Sequence, residues 1–259
     1  MAFYDLNKKE RVKVVERISD ELLQGIVKDD WRKLIQYFSD EDTYIRKTAY
    51  LVIGRIDKVH PGLREKIIHM LEEMLGKEDF RIRQTVINAA GEIGMRDFKA
   101  VTKFFDVGLF DKHHSARNAV IGSVKKMGQK NPRPVLGWAK KYIHHPDKEI
   151  RREICHGIEL RGRTHPGDIL PLLWELQHDE TARVSNTLVH VIGQISYKKG
   201  CLPLVISHLG TWENEKVVQK ALDEIIDVHD RYKNFSALTQ AEARKYIQKN
   251  FKKRRIRTI

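Results

Sequence analysis

The sequence predicts an all-α fold: a right-handed α-solenoid of about six helical hairpins with capping helices. Three observations predict it. The block Ile45-Arg46-Lys47-Thr48-Ala49 has aligned copies starting at Ile82, Ala116, Ile150, Val184 and Val217, spaced 37, 34, 34, 34 and 33 residues apart. A period of that size with one supersecondary unit per period marks a solenoid, which works through the surface its repeats create. Within each period two segments carry apolar residues at i, i+3, i+4 spacing, the helical signature. Breakers then fall between units at His60-Pro61-Gly62, Asn131-Pro132, His165-Pro166-Gly167 and Lys199-Gly200, where helices should stop.

The elements follow in order. A helix from about Asn7 to Leu23 caps the start of the array. First helices of the hairpins are expected over Asp30 to Phe38, Leu63 to Leu75, Val135 to Ile143 and Asp168 to Gln177. Each second helix begins in the aligned block, whose first, fifth and ninth positions are almost wholly apolar. Ile150, Ile154 and Ile158 show this in one copy, and Val184, Leu188 and Ile192 in the next. That spacing describes one buried stripe. Residues 1–237 are thus read as the repeat array, and 238–259 as a terminal helix (about Thr239 to Asn250) with a basic tail.

Composition narrows the function classes. The 259 residues are 41% hydrophobic, and no apolar run approaches the roughly 18 residues of a membrane span. The opening Met1-Ala2-Phe3-Tyr4-Asp5-Leu6-Asn7 lacks the basic-then-apolar layout of a signal peptide, so a cytoplasmic location is expected. Two cysteines, Cys155 and Cys201, are too few for a disulfide framework. The net charge of +13 is concentrated. Residues 125–165 hold eleven Lys/Arg against four acidic residues, and 238–259 hold eight against Glu242. Concentrated patches point to a polyanionic partner.

The repeat resembles the HEAT family across nearly the whole chain. The family's marks are an Asp in the inter-helix turn and an Arg at the second position of the second helix. Here they appear as Asp40 with Arg46 and Asp111 with Arg117, six apart, while Arg83 and Arg151 keep the Arg and Ser185 and Val218 do not. The resemblance implies that these arginines tie one repeat's turn to the next. It also implies that second helices line the inner surface of the array, so their third, seventh and eleventh positions form an exposed stripe. The third position is polar in all six copies: Lys47, Gln84, Asn118, Arg152, Asn186 and Gln219. The seventh contributes His156, His190 and Asp223, expected as a row on neighbouring helices. Glycines recur at the tenth position as Gly54, Gly91 and Gly193, a small-residue slot that lets neighbouring helices approach.

The stretch from Ile150 to Tyr197 carries a narrower resemblance. Ile150-Arg151-Arg152-Glu153-Ile154-Cys155-His156-Gly157, Ile169-Leu170-Pro171-Leu172-Leu173, and Val184 to Ser196 with His190 and Gln194 look like part of the bacterial alkylpurine-DNA glycosylases built from HEAT-like repeats. That resemblance implies duplex DNA held in a basic groove and release of an alkylated base. The catalytic candidates to test are His156, His190 and Asp223, with Arg152 beside them, and either Asp223 or Glu153 could supply the negative charge. His156 stands where the family has a carboxylate, and the second-helix stripe has no Trp. Such chemistry needs a negative charge and aromatic faces beside a cationic leaving base. Trp31, Trp138 and Trp174 fall on first helices, where packing is expected, and Trp212 in a turn.

Other chemistries find little support. His113-His114 and His144-His145 are adjacent pairs, and adjacent residues on a helix diverge by about 100°. No H-x-x-x-H, C-x-x-C or phosphate-binding glycine loop occurs, so no metal and no cofactor are expected. The one pair that could be defended as ligands is His156 and His190, with a carboxylate from Asp223 one repeat away, and core or surface histidines are the stronger expectation. The leading expectation is a nucleic-acid-binding protein holding duplex DNA by phosphate contacts. Its candidate contacts are Lys140, Lys141, Arg151, Arg152, Arg161, Arg163, Lys252, Lys253, Arg254 and Arg255. The alternative is a non-enzymatic scaffold whose polar groove takes a protein partner.

Overall fold

The computed structural model describes residues 3–252. Lys253, Arg254 and Arg255, three of the expected phosphate contacts, lie outside the described residues. The described chain is helical throughout and falls into two compact units, dividing at Asn131 and Pro132. No described helix is long and apolar enough to cross a membrane.

Unit 1 comprises α1 (Lys8–Lys28), α2 (Arg32–Ser39), α3 (Thr43–Val59), α4 (Arg64–Leu75), α5 (Phe80–Gly94), α6 (Phe98–Gly108) and α7 (His114–Lys130). The entry helix α1 runs five residues past the expected end at Leu23. A capping box between Asn7 and Glu10 starts it, and Asp29 in the left-handed region ends it. The pairs α2/α3, α4/α5 and α6/α7 are hairpins, and α3, α5 and α7 pack side by side as the inner layer. Unit 2 repeats the plan with α8 (Pro132–Tyr142), α9 (Lys148–Gly157), α10 (Glu159–Gly162), α11 (Pro166–Trp174), α12 (Ala182–Gln194), α13 (Cys201–Leu209), α14 (Glu215–Arg231) and α15 (Gln240–Asn250). Here α9, α12 and α14 form the inner layer, and α15 folds back on α13 and α14. The described helices therefore make six hairpins of α-solenoid type, three in each unit.

Local chemistry explains the recurrence. Three residues before each aligned block stands the N-cap of the second helix: Asp42, Asp79, His113, Asp147, Thr181 and Asn214. Asp42, Asp79 and Asp147 each accept a 2.8 Å hydrogen bond from the N–H two residues on, satisfying a donor the helix leaves orphaned. Pro132 and Pro166 open α8 and α11 at positions with no N–H partner to lose. The expected stripe of Ile150, Ile154, Ile158, Val184, Leu188 and Ile192 is buried. Trp138 and Trp212 are buried as well, whereas Trp174 is 41% exposed and is not the packing residue expected of it.

The Arg–Asp marks differ from the six-apart pairing in an instructive way. Arg46 and Arg117 reach back six residues to the backbone carbonyls of Asp40 and Asp111, not to their carboxylates. Those carboxylates accept N–H groups of their own turns, from Asp42 and His113. Asp111 also faces the preceding repeat, where Arg83 donates to it at 2.6 and 2.9 Å and to the carbonyls of Lys77 and Glu78. Unit 2 has the same rung. Arg151 donates to both oxygens of Asp179 at 2.5 and 3.2 Å and to the carbonyls of His145 and Pro146. Each rung ties an arginine to the aspartate 28 residues later, so the ties between repeats exist but the partners are one repeat apart.

The tenth-position glycines are contact points. A Cβ on Gly91 would meet Ser123 Oγ at 2.5 Å, and one on Gly193 would meet Glu224 Cγ at 2.5 Å. Only a residue without a side chain lets the next helix come this near.

Candidate functional site

Unit 2 holds the site. The second helix of its first hairpin breaks after Gly157 into α9 and the single turn α10, and Ile158 sits at the break. Three residues matter around the break. His156 stands in the last turn of α9, Glu159 opens α10, and His190 faces both from α12. Aligned with the other repeats, Glu159 occupies the tenth position, the slot filled by Gly54, Gly91 and Gly193 elsewhere. A carboxylate therefore sits in the seam between α9 and α12, and it is 1% exposed.

Burying a carboxylate is costly unless it is paired and hydrogen-bonded. Arg163, one turn later, donates to Glu159 Oε1 from Nε at 2.9 Å and Nη2 at 2.5 Å. Nη2 also donates to Gln194 Oε1 at 2.9 Å. The other oxygen, Oε2, lies 3.1 Å from His156 Nε2. The rings of His156 and His190 meet edge to face with centroids 6.2 Å apart. Burial pushes the His190 pKa below its ordinary value, against the opposing pull of Glu159 and Glu224.

Of the expected row, His156 and His190 come together and Asp223 does not join them. Asp223 is exposed and accepts a hydrogen bond from Gln219 one turn back on its own helix. Its neighbour Glu224 takes the place beside His190, with Oε1 3.7 Å from Nδ1, and Arg231 holds it at 3.3 Å. Glu224 reaches there because Gly193 leaves room for its stem.

A groove of about 390 Å³ opens over this seam, lined by Arg152, His156, Arg183, Asn186, Thr187 and His190. No carboxylate is among those lining residues. Arg152 and Arg183 both contact Glu149, at 3.0 and 3.2 Å, and Arg152 also lies 3.4 Å from the buried Glu153. The other expected cations are engaged elsewhere. Arg151 is the rung to Asp179, Arg161 pairs with Asp168 at 2.6 Å, Arg163 holds Glu159, and Lys140 stands 3.6 Å from Glu175. Lys141 and Lys252 are exposed. The paired histidines have local roles: His113 caps α7 and stacks on Phe80, and His144 contacts Glu175 at 2.8 Å.

Hairpins stacked through parallel second helices define a helical-repeat protein with a polar groove on the inner layer of unit 2. Residues 31–123, within unit 1, match the family model described as HEAT repeats. No curated protein matches the chain. Among solved structures it is similar to the Escherichia coli protein YibA, at 16% identity over 95% of this chain and 89% of that one, with a TM-score of 0.45. It is also similar to an archaeal HEAT-like repeats protein from Thermococcus onnurineus NA1. There the identity is 15%, over 80% of this chain and 95% of the other, with a TM-score of 0.41.

Proposed function

We propose that the protein is a non-covalent binding module for duplex nucleic acid, with the unit 2 groove as its phosphate contact. The observation that carries this reading is the lining of that groove: two arginines, two histidines, an amide and a hydroxyl, without a carboxylate. Arg183 is the more available of the two arginines, its side chain 63% exposed against 19% for Arg152. The net charge of +13 favours the same class of partner. Affinity would be sequence-independent and salt-sensitive, because phosphate contacts displace condensed counterions. With Arg152 and Arg183 as groove contacts, the expected slope of log K against log salt is about −2, at roughly −0.9 per phosphate.

Base release from alkylated DNA, which the narrower resemblance of residues 150–197 would imply, is a finer reading of the same groove. It lacks Asp223 beside the histidines, and the carboxylates that do stand there, Glu159 and Glu224, are already held by Arg163 and Arg231. A protein-interaction scaffold is the second reading. It is favoured by the engagement of Arg151, Arg161 and Arg163 with carboxylates, which leaves a smaller cationic surface than the sequence suggests.

The test is a salt series with a labelled duplex, plain and carrying an N-alkylated purine, scoring binding and base release together. Arg152→Ala with Arg183→Ala should weaken binding to every sequence alike and flatten the salt slope. No binding to either duplex at low salt would reject the nucleic-acid reading in favour of the scaffold.

A further inference from the structure

We infer that His156, Glu159 and His190 form a binding site for a divalent transition-metal cation of the zinc type. One donor atom from each residue lies within 4.8 Å of the others. Two nitrogens and one carboxylate oxygen are a donor set that zinc takes, at bond lengths near 2.0–2.2 Å. Tetrahedral ligands at that length stand about 3.3 Å apart. His156 Nε2 and Glu159 Oε2 are already 3.1 Å apart, and a ring nitrogen of His190 lies within 4.8 Å of the donor atoms of both residues.

The surroundings match what a metal ligand set needs. Arg163 occupies Glu159 Oε1 and is itself fixed by Gln194, which orients Oε2 towards His156. Outer-shell partners of this kind set the direction of a ligating carboxylate. His190 has Glu224 Oε1 3.7 Å from Nδ1, with Arg231 behind that carboxylate, so Nε2 is the nitrogen left for a cation. A carboxylate behind a ligating imidazole is the usual outer-shell arrangement. Three protein ligands leave a fourth position, and the two histidines line the groove together with Asn186 and Thr187. An open position of that kind takes water or an anionic group. The inference is separate from nucleic-acid binding and is measured without nucleic acid.

The experiment uses the full-length protein stripped with chelator and titrated with Co²⁺, followed by its visible ligand-field absorption, with Zn²⁺ then added in competition. One equivalent should bind with the intensity of a low-coordinate site and be displaced by Zn²⁺. His190→Ala, at a half-exposed position that the fold tolerates, should weaken binding at least tenfold with an unchanged circular-dichroism melt. His144→Ala should leave binding as it was, since His144 lies outside the cluster. Absence of a ligand-field band, or equal affinity in His190→Ala and the unaltered protein, would overturn the site.

Discussion

Replacing Arg151 should damage the fold rather than binding, and the cost can be worked from its contacts. The guanidinium donates to both oxygens of Asp179, to Thr181 Oγ1 at 3.3 Å, and to the carbonyls of His145 and Pro146. Asp179 is only 6% exposed, so Arg151→Ala leaves a buried carboxylate without its counter-charge. Removing one partner of a buried pair costs about 3–5 kcal/mol. The Thr181 N–H at 2.9 Å still serves Asp179, which puts the expectation near the lower end, about 3 kcal/mol. Arg161→Ala is the comparison, because its partner Asp168 is 42% exposed and such pairs are worth about 0.2–1 kcal/mol. Urea denaturation of both variants measures the difference. The pH dependence adds a second check. Burial alone would raise the Asp179 pKa, but hydrogen bonds from Arg151 and Thr181 outweigh it and hold the carboxyl below its ordinary value. Its stabilisation is therefore complete above the unfolded value of about 3.9 and lost as pH falls through the folded value. The gap between Arg151→Ala and the unaltered protein should be widest near neutrality and narrow in acid. Equal costs for Arg151→Ala and Arg161→Ala, or a gap independent of pH, would refute the rung.

Other perturbations test other parts of the design. Gly122, inside α7, has open space where a Cβ would stand, so Gly122→Ala should raise stability by about 0.5–1 kcal/mol in thermal or urea melts. Gly91→Ala should lower it by about 1–3 kcal/mol, because the new Cβ would collide with Ser123. Buried Gln177 accepts the N–H groups of Glu213 and Asn214 at 2.7 and 3.2 Å. Gln177→Leu strands both donors and should cost roughly 2–6 kcal/mol by urea denaturation, at about 1–3 per unsatisfied group. Burial lowers the pKa of His190, His208 and His229, so the unfolded chain binds more protons than the folded one just below the ordinary histidine value of about 6.5. Stability should fall as pH drops through that value, and His229→Gln should flatten the fall in a series of melts.

The hairpins were legible because each helix is marked twice, by its apolar stripe and by its punctuation. Pro132, Pro166 and the caps at Asp42, Asp79 and Asp147 stand where the aligned blocks place them. The arginine ladder was legible only in part. Six-residue spacing detects that Arg46 and Asp40 meet, but it cannot say that the guanidinium meets the carbonyl while carboxylates such as Asp111 serve the neighbouring repeat. That choice is made by the Asx-type bond from Asp111 to the His113 N–H, which turns the aspartate away from its own arginine.

The site shows where stripe arithmetic stops. Counting every fourth residue finds His156 and His190, because each lies on a regular face of its own helix. It then selects Asp223, since counting assumes that every seam is alike. The seam between α12 and α14 is not like the others: Gly193 admits Glu224 one residue further on, and that carboxylate reaches His190. At the α9–α12 seam the same slot is reversed. Three repeats lack the glycine, and one of them carries Glu159 there, with the helix breaking beside it at Ile158. A charged residue where three sister repeats need no side chain at all was the available signal. It escapes any search for ligand spacings, because the two histidines and the glutamate come from two repeats and only the packing of α9 and α10 on α12 brings them together. A buried carboxylate in a packing slot carries a desolvation cost that a glycine there would not. The chain meets that cost with Arg163 and Gln194, and the pair of histidines beside Glu159 is what makes the exception chemically useful.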